Sequence, residues 1–394
     1  MRNFNFNNFT DIRFGTDQIE AHLHDVLASY GQNVLLVYGG GSIKKNGLYE
    51  RVMHQLPDLN VFELGGIAPN PKVTSIEAGQ KMTKAHNIDV ILSIGGGSVI
   101  DASKLIASAH YYDGKPWDLV LNTKIRQTLK QLPVVDILTL AATGSEMNKN
   151  SVISNPETHQ KLGTSGPNSP VVSFLDPTLT YSVSKWQTAA GSIDILSHLT
   201  EQYFDQAENT DVQDGMMEGL MRTVIKWAPV ALNEPDNYDA RANLMWSSTM
   251  ALNGLVRTGK ENGWTVHGIE HELSAYYDVT HGMGLGVLTP RWMRFALNAQ
   301  TEAKFARYGR NVWHLVGSDV AVAQAAIQAT YDWIKALQAP TTLTALGIES
   351  NENFAVMAQS AVTLKHLDKV AYVPMTSDDV VALYQASMTT VGFE

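Results

Sequence analysis

Asp194, His198, His267, His271 and His281 lie at spacings that suit a metal ion. Asp194 and His198 are spaced i, i+4, and so are His267 and His271. On a helix this sets both side chains of a pair on one face, about one turn apart. Imidazole and carboxylate aimed at one point suit Fe(II), Zn(II), Co(II), Mn(II) or Ni(II). A lone helical histidine is usually a core or capped residue, and a single i, i+4 pair says little. Two pairs, together with His281 and the glycine after it, favour a metal centre. Three neutral imidazoles and one carboxylate would leave a divalent ion with a net charge of about +1. With an open position, such an ion acts as a Lewis acid on a carbonyl or alkoxide. Spacing does not decide which histidine stands outside. Asp194, His198, His267 and His281 form one tetrad, with His271 as a neighbouring proton relay. Helix geometry also allows His271 in place of His267.

The elements that must carry these residues are helices. Ser184 or Thr188 can start one that holds Asp194 and His198, and Trp264 to Tyr276 reads as another holding His267 and His271. His281 opens a glycine-spaced segment, HGMGLGVLTP (281–290), with a helix expected only from Arg291. From about Val183 onward strand signals fade, and some nine helices are expected. The first half is different. Short apolar runs (Asn33 to Tyr38, Val61 to Leu64, Val90 to Ile94, Pro133 to Leu140, Val171 to Leu175) alternate with helical patterns. Phe4 to Phe14 reads as an edge strand and Lys44 to Gln55 as one helix. Strand, glycine-rich turn and helix in repetition predict a doubly wound parallel sheet. The expected division is therefore an α/β domain over 1–183 and an all-helical domain over 184–394, with the boundary near Asp176 to Lys185, where Asp-Pro interrupts the apolar run.

Two strand ends carry glycine triplets followed by serine: Gly39-Gly40-Gly41-Ser42 and Gly95-Gly96-Gly97-Ser98. Glycine lets a backbone approach a phosphate, and a helix start offers unpaired N–H groups and a positive dipole end. A tight βα turn can use glycine for its own sake. Two triplets plus Ala142-Thr143-Gly144-Ser145-Glu146, all at the same end of parallel strands, favour a nucleotide crevice. Neither triplet matches G-x-G-x-x-G, and there is no phosphate-binding G-x-x-x-x-G-K-[ST] loop.

The bulk numbers narrow the field. The chain has 394 residues, 44% hydrophobic and 17% charged, with a formal net charge of -10. No basic tract suits nucleic acid. There are no cysteines, so any metal is held by nitrogen and oxygen. No apolar run approaches membrane-spanning length, and the N-terminal residues lack a signal-peptide pattern. A cytoplasmic protein with no membrane partner is expected.

These residues also carry a family likeness. YGGGSIKKNGLYE (38–50), GGIAPNP (65–71), IGGGSVIDASK (94–104), ATGSEMN (142–148), LDPTLTY (175–181), Asp194-x-x-x-His198, NYDARANLMWSSTMALNG (237–254), HGIEHELSA (267–275) and HGMGLGVLTP (281–290) stand in one order. In these motifs, which span essentially the whole chain, it resembles the iron-containing (group III) alcohol dehydrogenases. Within them it is most similar to the NADPH-dependent butanol dehydrogenase and broad-range aldehyde reductase branch. The resemblance implies a Rossmann-like α/β domain plus an all-α domain, the dehydroquinate synthase-like fold, and a homodimer. It implies hydride transfer between nicotinamide C4 and a small alcohol or aldehyde. It implies Asp194, His198, His267 and His281 as ligands of Fe(II) or Zn(II), and His271 as a proton relay near the nicotinamide. Gly96, Gly97, Ser98 and Asp101 match the pyrophosphate turn and its helix. Thr139, Thr143, Ser145, Asn148, Lys161 and Leu179 match cofactor contacts, and Asn70 is grouped with them. Ala142 and Glu272 depart from the family's usual glycine and proline. At Gly39, NAD-preferring relatives tend to have an aspartate. Its absence removes repulsion against a 2′-phosphate, which Ser42, backbone N–H groups, Lys44 or Lys45 could hold, so NADP(H) is expected. The rival readings are a lyase on the same fold and an NAD-preferring polyol dehydrogenase.

Overall fold

The computed structural model describes residues 1–261 and 263–393. They form two compact units. One is Asn7–Val183 with Asp236–Asn253. The other is Met1–Phe6, Ser184–Pro235 and Gly254–Glu394.

The first unit is built on parallel strands. They are β1 (Asp11–Phe14), β2 (Asn33–Tyr38), β3 (Asn60–Leu64), β4 (Val90–Gly95) and β5 (Val134–Leu138). A hairpin of β6 (Asn150–Asn155) and β7 (Gln160–Ser165) follows, then β8 (Val172–Leu175). The sheet runs β1-β8-β5-β4-β2-β3, every pair parallel. Its central strands are apolar because both faces are covered. On β2, Leu35 and Val37 enter one core while Val34 and Leu36 enter the other, all four fully buried. Burying such a side chain contributes about 1.5–3 kcal/mol. The covering helices are α1 (Gln18–Ala28), α2 (Ser42–Lys45), α3 (Leu48–Met53), α4 (Val73–Ala85), α5 (Gly97–Ala109), α6 (Pro116–Leu121) and α7 (Thr123–Thr128). Chain order steps outward from β2 to β3, then crosses back to β4 on β2's other side. This is the strand-order switch at which ligands bind in open α/β sheets.

The second unit holds α8 (Lys185–Tyr203) and α9 (Asp211–Asn233). The helix that follows, α10 (Tyr238–Leu252), belongs to the α/β unit. The helical unit resumes with α11 (Thr265–Tyr277), α12 (His281–Ala296), α13 (Glu302–Trp313), α14 (Asp319–Ala336), α15 (Phe354–Lys365), α16 (Leu367–Val370) and α17 (Ser377–Ala386). Among the described residues, no helix is long and apolar enough to cross a membrane.

Four local expectations need correction. The strand expected over Phe4 to Phe14 is confined to Asp11–Phe14, the stretch that pairs with β8, and Phe4, Phe6 and Phe9 are exposed. The single helix expected over Lys44 to Gln55 breaks at Gly47, whose φ of 83° is left-handed. The β6–β7 hairpin was not expected, since its strands mix polar and apolar residues; an Asn155 side chain that accepts from the Glu157 N–H (3.1 Å) turns it. Finally, His281 opens a helix, because the glycines after it lie at close helix approaches.

Candidate metal centre and dinucleotide turns

Helix α8 starts at Ser184, whose side chain accepts from the Gln187 N–H. It is buried along its length from Thr188 onward, which aims Asp194 and His198 into the helical unit. Helix α12 reaches α8 through Gly282, where an added Cβ would lie 2.0 Å from the Ala190 carbonyl oxygen. This brings His281 to Asp194. Helix α11 brings His267.

Three imidazoles converge on one carboxylate oxygen. Nε2 of His198 and of His267 each lie 3.5 Å from Asp194 Oδ1, and Nε2 of His281 lies 3.8 Å from it. Two ligands bound at 2.0–2.2 Å with tetrahedral angles stand about 3.3–3.6 Å apart. The first two spacings match, and the third is a few tenths longer. Asp194 Oδ1 and His267 Nε2 are buried with no hydrogen-bond partner. Two such orphaned atoms facing each other fit a cation between them. Asp194 is held well below the usual carboxylate range: burial opposes this, and the neighbouring imidazoles of His198, His267 and His281 outweigh burial. Burial pushes His198 down to about 3. Burial would lower His267 too, but Glu201 and Asp194 raise it to about 9. A cation would take the place of that proton.

His271 stands apart from this point. It is buried, with its ring centroid 6.3 Å from that of His267 and 5.6 Å from that of His281. Its nitrogen groups instead with Glu270 and His281. The indole of Trp264 (φ 43°) lies edge-on to His198 and His267.

Two buried carboxyl groups escaped the spacing argument. Glu201 accepts from His267 Nδ1, and Glu270 is hydrogen-bonded to His281 Nδ1. They change the charge expected of the site. Counted with Asp194, they take a loaded centre from a formal charge of about +1 to about −1. A His-x-x-Glu spacing, present at His198–Glu201 and His267–Glu270, was the available signal. It was obscured because each glutamate serves a histidine on another helix rather than its own neighbour.

In the α/β unit, the two glycine turns leave the sheet side by side, since Tyr38 pairs with Ile94. Gly40 and Gly41 have open space where a Cβ would stand. Gly39 is tied by the Gly66 N–H, which donates to its carbonyl (3.0 Å). Gly96, Gly97 and Ser98 open α5, and a Cβ on Gly97 would lie 2.2 Å from Thr143 Oγ1. The Thr139 N–H donates to the Gly95 carbonyl (3.0 Å), which holds the third turn beside the second.

Several predicted contacts are occupied within the turn itself. Asp101 accepts from Ser145 Oγ and from the Val152 N–H (2.7 Å). Asn148 Nδ2 donates to the Gly144 carbonyl (2.8 Å). Lys104, which is fully buried, donates to the Ser145 carbonyl (2.9 Å) and to Asn148. Lys161 and Asn70 are buried, and Leu179 packs half-buried against the core beneath α1 and α3. Lys44 is pinned: its ammonium donates to Glu63 (2.9 Å) and lies over the rings of Tyr38 and Tyr49.

Comparison with known proteins identifies the family. Residues 10–177 match the model for the iron-containing alcohol dehydrogenases, and residues 188–388 match that for the C-terminal part of the Fe-containing alcohol dehydrogenase family. NADH-dependent butanol dehydrogenase B of Clostridium acetobutylicum is 46% identical, covering 98% of this chain and 100% of its own. The NADPH-dependent aldehyde reductase YqhD of Escherichia coli is 37% identical, covering 89% and 91%. The crystal structure of NADH-dependent butanol dehydrogenase A from Thermotoga maritima superposes with a TM-score of 0.92 at 34% identity, covering 99% of each chain. The chain belongs to the iron-containing alcohol dehydrogenase family.

Proposed function

We propose that the protein is an NADP(H)-linked aldehyde reductase and alcohol dehydrogenase for small primary substrates of the butanal and butanol kind. Family membership implies the oxidoreductase class, a nicotinamide cofactor and a divalent metal. In this reading Asp194, His198, His267 and His281 hold one Fe(II) or Zn(II) ion. The observation that carries it is the convergence of three imidazole Nε2 atoms on Asp194 Oδ1. When bound, the ion supplies Lewis-acid polarisation of a carbonyl, and the nicotinamide supplies the hydride.

The chain's own residues do the rest. Asp194 stays ionised and His198 neutral, the forms that a cation requires. His271 supplies the proton that a reduced carbonyl oxygen needs, or removes it in the reverse direction. Gly96, Gly97 and Ser98 receive the pyrophosphate at the start of α5. Gly39 to Ser42 receive the adenosine end.

The cofactor choice rests on Gly39, where no carboxylate repels a 2′-phosphate. The relatives' names include both NADH and NADPH. With Lys44 committed to Glu63, Ser42, the backbone N–H groups and Lys45 are the groups offered to the phosphate. A homodimer in the cytoplasm is the expected state, and light scattering in solution tests its size. Oxidation of NADPH and of NADH with butanal, followed at 340 nm, tests the activity. Turnover with higher kcat/KM for NADPH is expected. An unchanged cofactor, as a lyase would leave it, contradicts the reading.

A further inference from the structure

We infer that Glu201 and Glu270 are positioning residues of the metal centre, each fixing through Nδ1 the ring whose Nε2 faces Asp194, and that they rank the three histidines as ligands. The inference rests on the metal-centre reading above. An imidazole that ligates through Nε2 must keep its proton on Nδ1, and an acceptor at Nδ1 sets both tautomer and ring orientation. Glu201 provides that acceptor for His267, and Glu270 for His281. The pairing runs from helix to helix. Glu201 of α8 serves α11, and Glu270 of α11 serves α12.

Both carboxyl groups are built in. Glu201 is 3% exposed and Glu270 is fully buried. Glu201 also accepts from the N–H groups of Val266 (2.7 Å) and His267 (3.0 Å), at the start of α11, where Trp264 offers no side-chain cap. Glu270 accepts from Ser274 Oγ (2.5 Å). Its space is kept by Gly284, where an added Cβ would lie 2.9 Å from Glu270 Cγ. Burying two carboxyl groups is costly unless their partners need them.

His198 is the contrast. Its Nδ1 is buried with no hydrogen-bond partner. An imidazole backed by a carboxylate is the stronger donor, so His267 and His281 should bind tightly and His198 weakly.

The test uses full-length protein stripped of metal. Zinc affinity is measured by competition with a chelator, and the visible spectrum is recorded after cobalt loading. Glu270→Leu removes the acceptor at His281. Glu270→Gln keeps one, with its amide directed to Ser274 Oγ. We expect Glu270→Leu to weaken zinc binding about 10–100-fold and to shift the cobalt bands. Glu270→Gln should recover most of the loss, which a purely structural role for the charge would not explain. His198→Ala should cost less affinity than His267→Ala, although each removes one ring. Zinc binding by Glu270→Leu within about threefold of the parent overturns the inference, and so does a larger loss in His198→Ala than in His267→Ala. If Glu270→Leu does not fold, the Gln variant and the two histidine variants decide. If the parent itself binds no zinc, the metal-centre reading fails and takes this inference with it.

Discussion

Asp194 Oδ1 is the atom toward which three imidazoles turn, and the nearby residues can be tested one at a time. At Gly39 the backbone is not left-handed, and an added Cβ would meet the Ile67 carbonyl at 3.5 Å, an ordinary contact. Gly39→Asp should therefore fold. Its carboxylate should repel a 2′-phosphate and lower kcat/KM for NADPH relative to NADH by about tenfold, near 1.4 kcal/mol. An unchanged ratio from steady-state kinetics would mean that this turn does not meet the adenosine ribose. Glu272 offers a pH test. Burial raises its carboxyl to about 7, against the Ser360 hydrogen bond and the Lys365 charge. Folded Glu272 thus keeps a proton that the unfolded chain, with its ordinary value near 4.5, has released. Its stabilisation is fully present below that ordinary value and is lost as pH rises through about 7. Glu272→Gln does not titrate. Between pH 5 and 8 the parent should lose roughly 1–2 kcal/mol relative to the variant in urea melts. Parallel pH profiles would show that Glu272 is not held neutral.

Among the elements, α12 depends most on glycine. A Cβ at Gly282 would lie 2.0 Å from backbone at Ala190, so Gly282→Ala must push α12 off α8. The expected cost is about 3 kcal/mol by denaturant melts, with His281 drawn from Asp194 and zinc lost on dialysis. Retained zinc and stability would refute the close approach. Ser184→Ala removes the cap of α8 and should cost about 1 kcal/mol in the same assay. The same helices show what the sequence could reveal. Strands β2, β4 and β5 were legible because burial on both faces writes an unbroken apolar run. The helices carrying Asp194, His198, His267 and His271 were legible from their spacing. The helix from His281 was not, because glycine at 282, 284 and 286 ordinarily signals a break, and only the neighbours Ala190, Glu270 and Ile193 explain it. The roles open to Glu201 and Glu270 were hidden because they act between helices.

At the scale of the whole molecule, chain continuity misleads twice. Met1–Phe6 belongs to the helical unit. Asp236–Asn253 lies within the helical half of the sequence but belongs to the α/β unit. There Thr249 Oγ1 donates to the buried Glu146 (2.5 Å), and Gly144 (φ 59°) makes room for the Ser248 carbonyl. No local pattern in α10 encodes that choice, since its partners are the ATGSE turn about a hundred residues earlier. The metal reading has a global consequence too. An ion that binds only the folded chain stabilises it by about 4 kcal/mol at a thousand times its Kd. Chelation should lower Tm by several degrees, and adding the ion back should restore it. An unchanged Tm would argue against an ion held within the fold. The most direct test measures metal content and turnover on the same samples. Elemental analysis of parent, Asp194→Ala and His267→Ala is set beside NADPH oxidation with butanal. The predicted result is about one divalent ion per chain in the parent, and joint loss of ion and turnover in both variants. Full turnover in a variant that holds no metal would contradict the account.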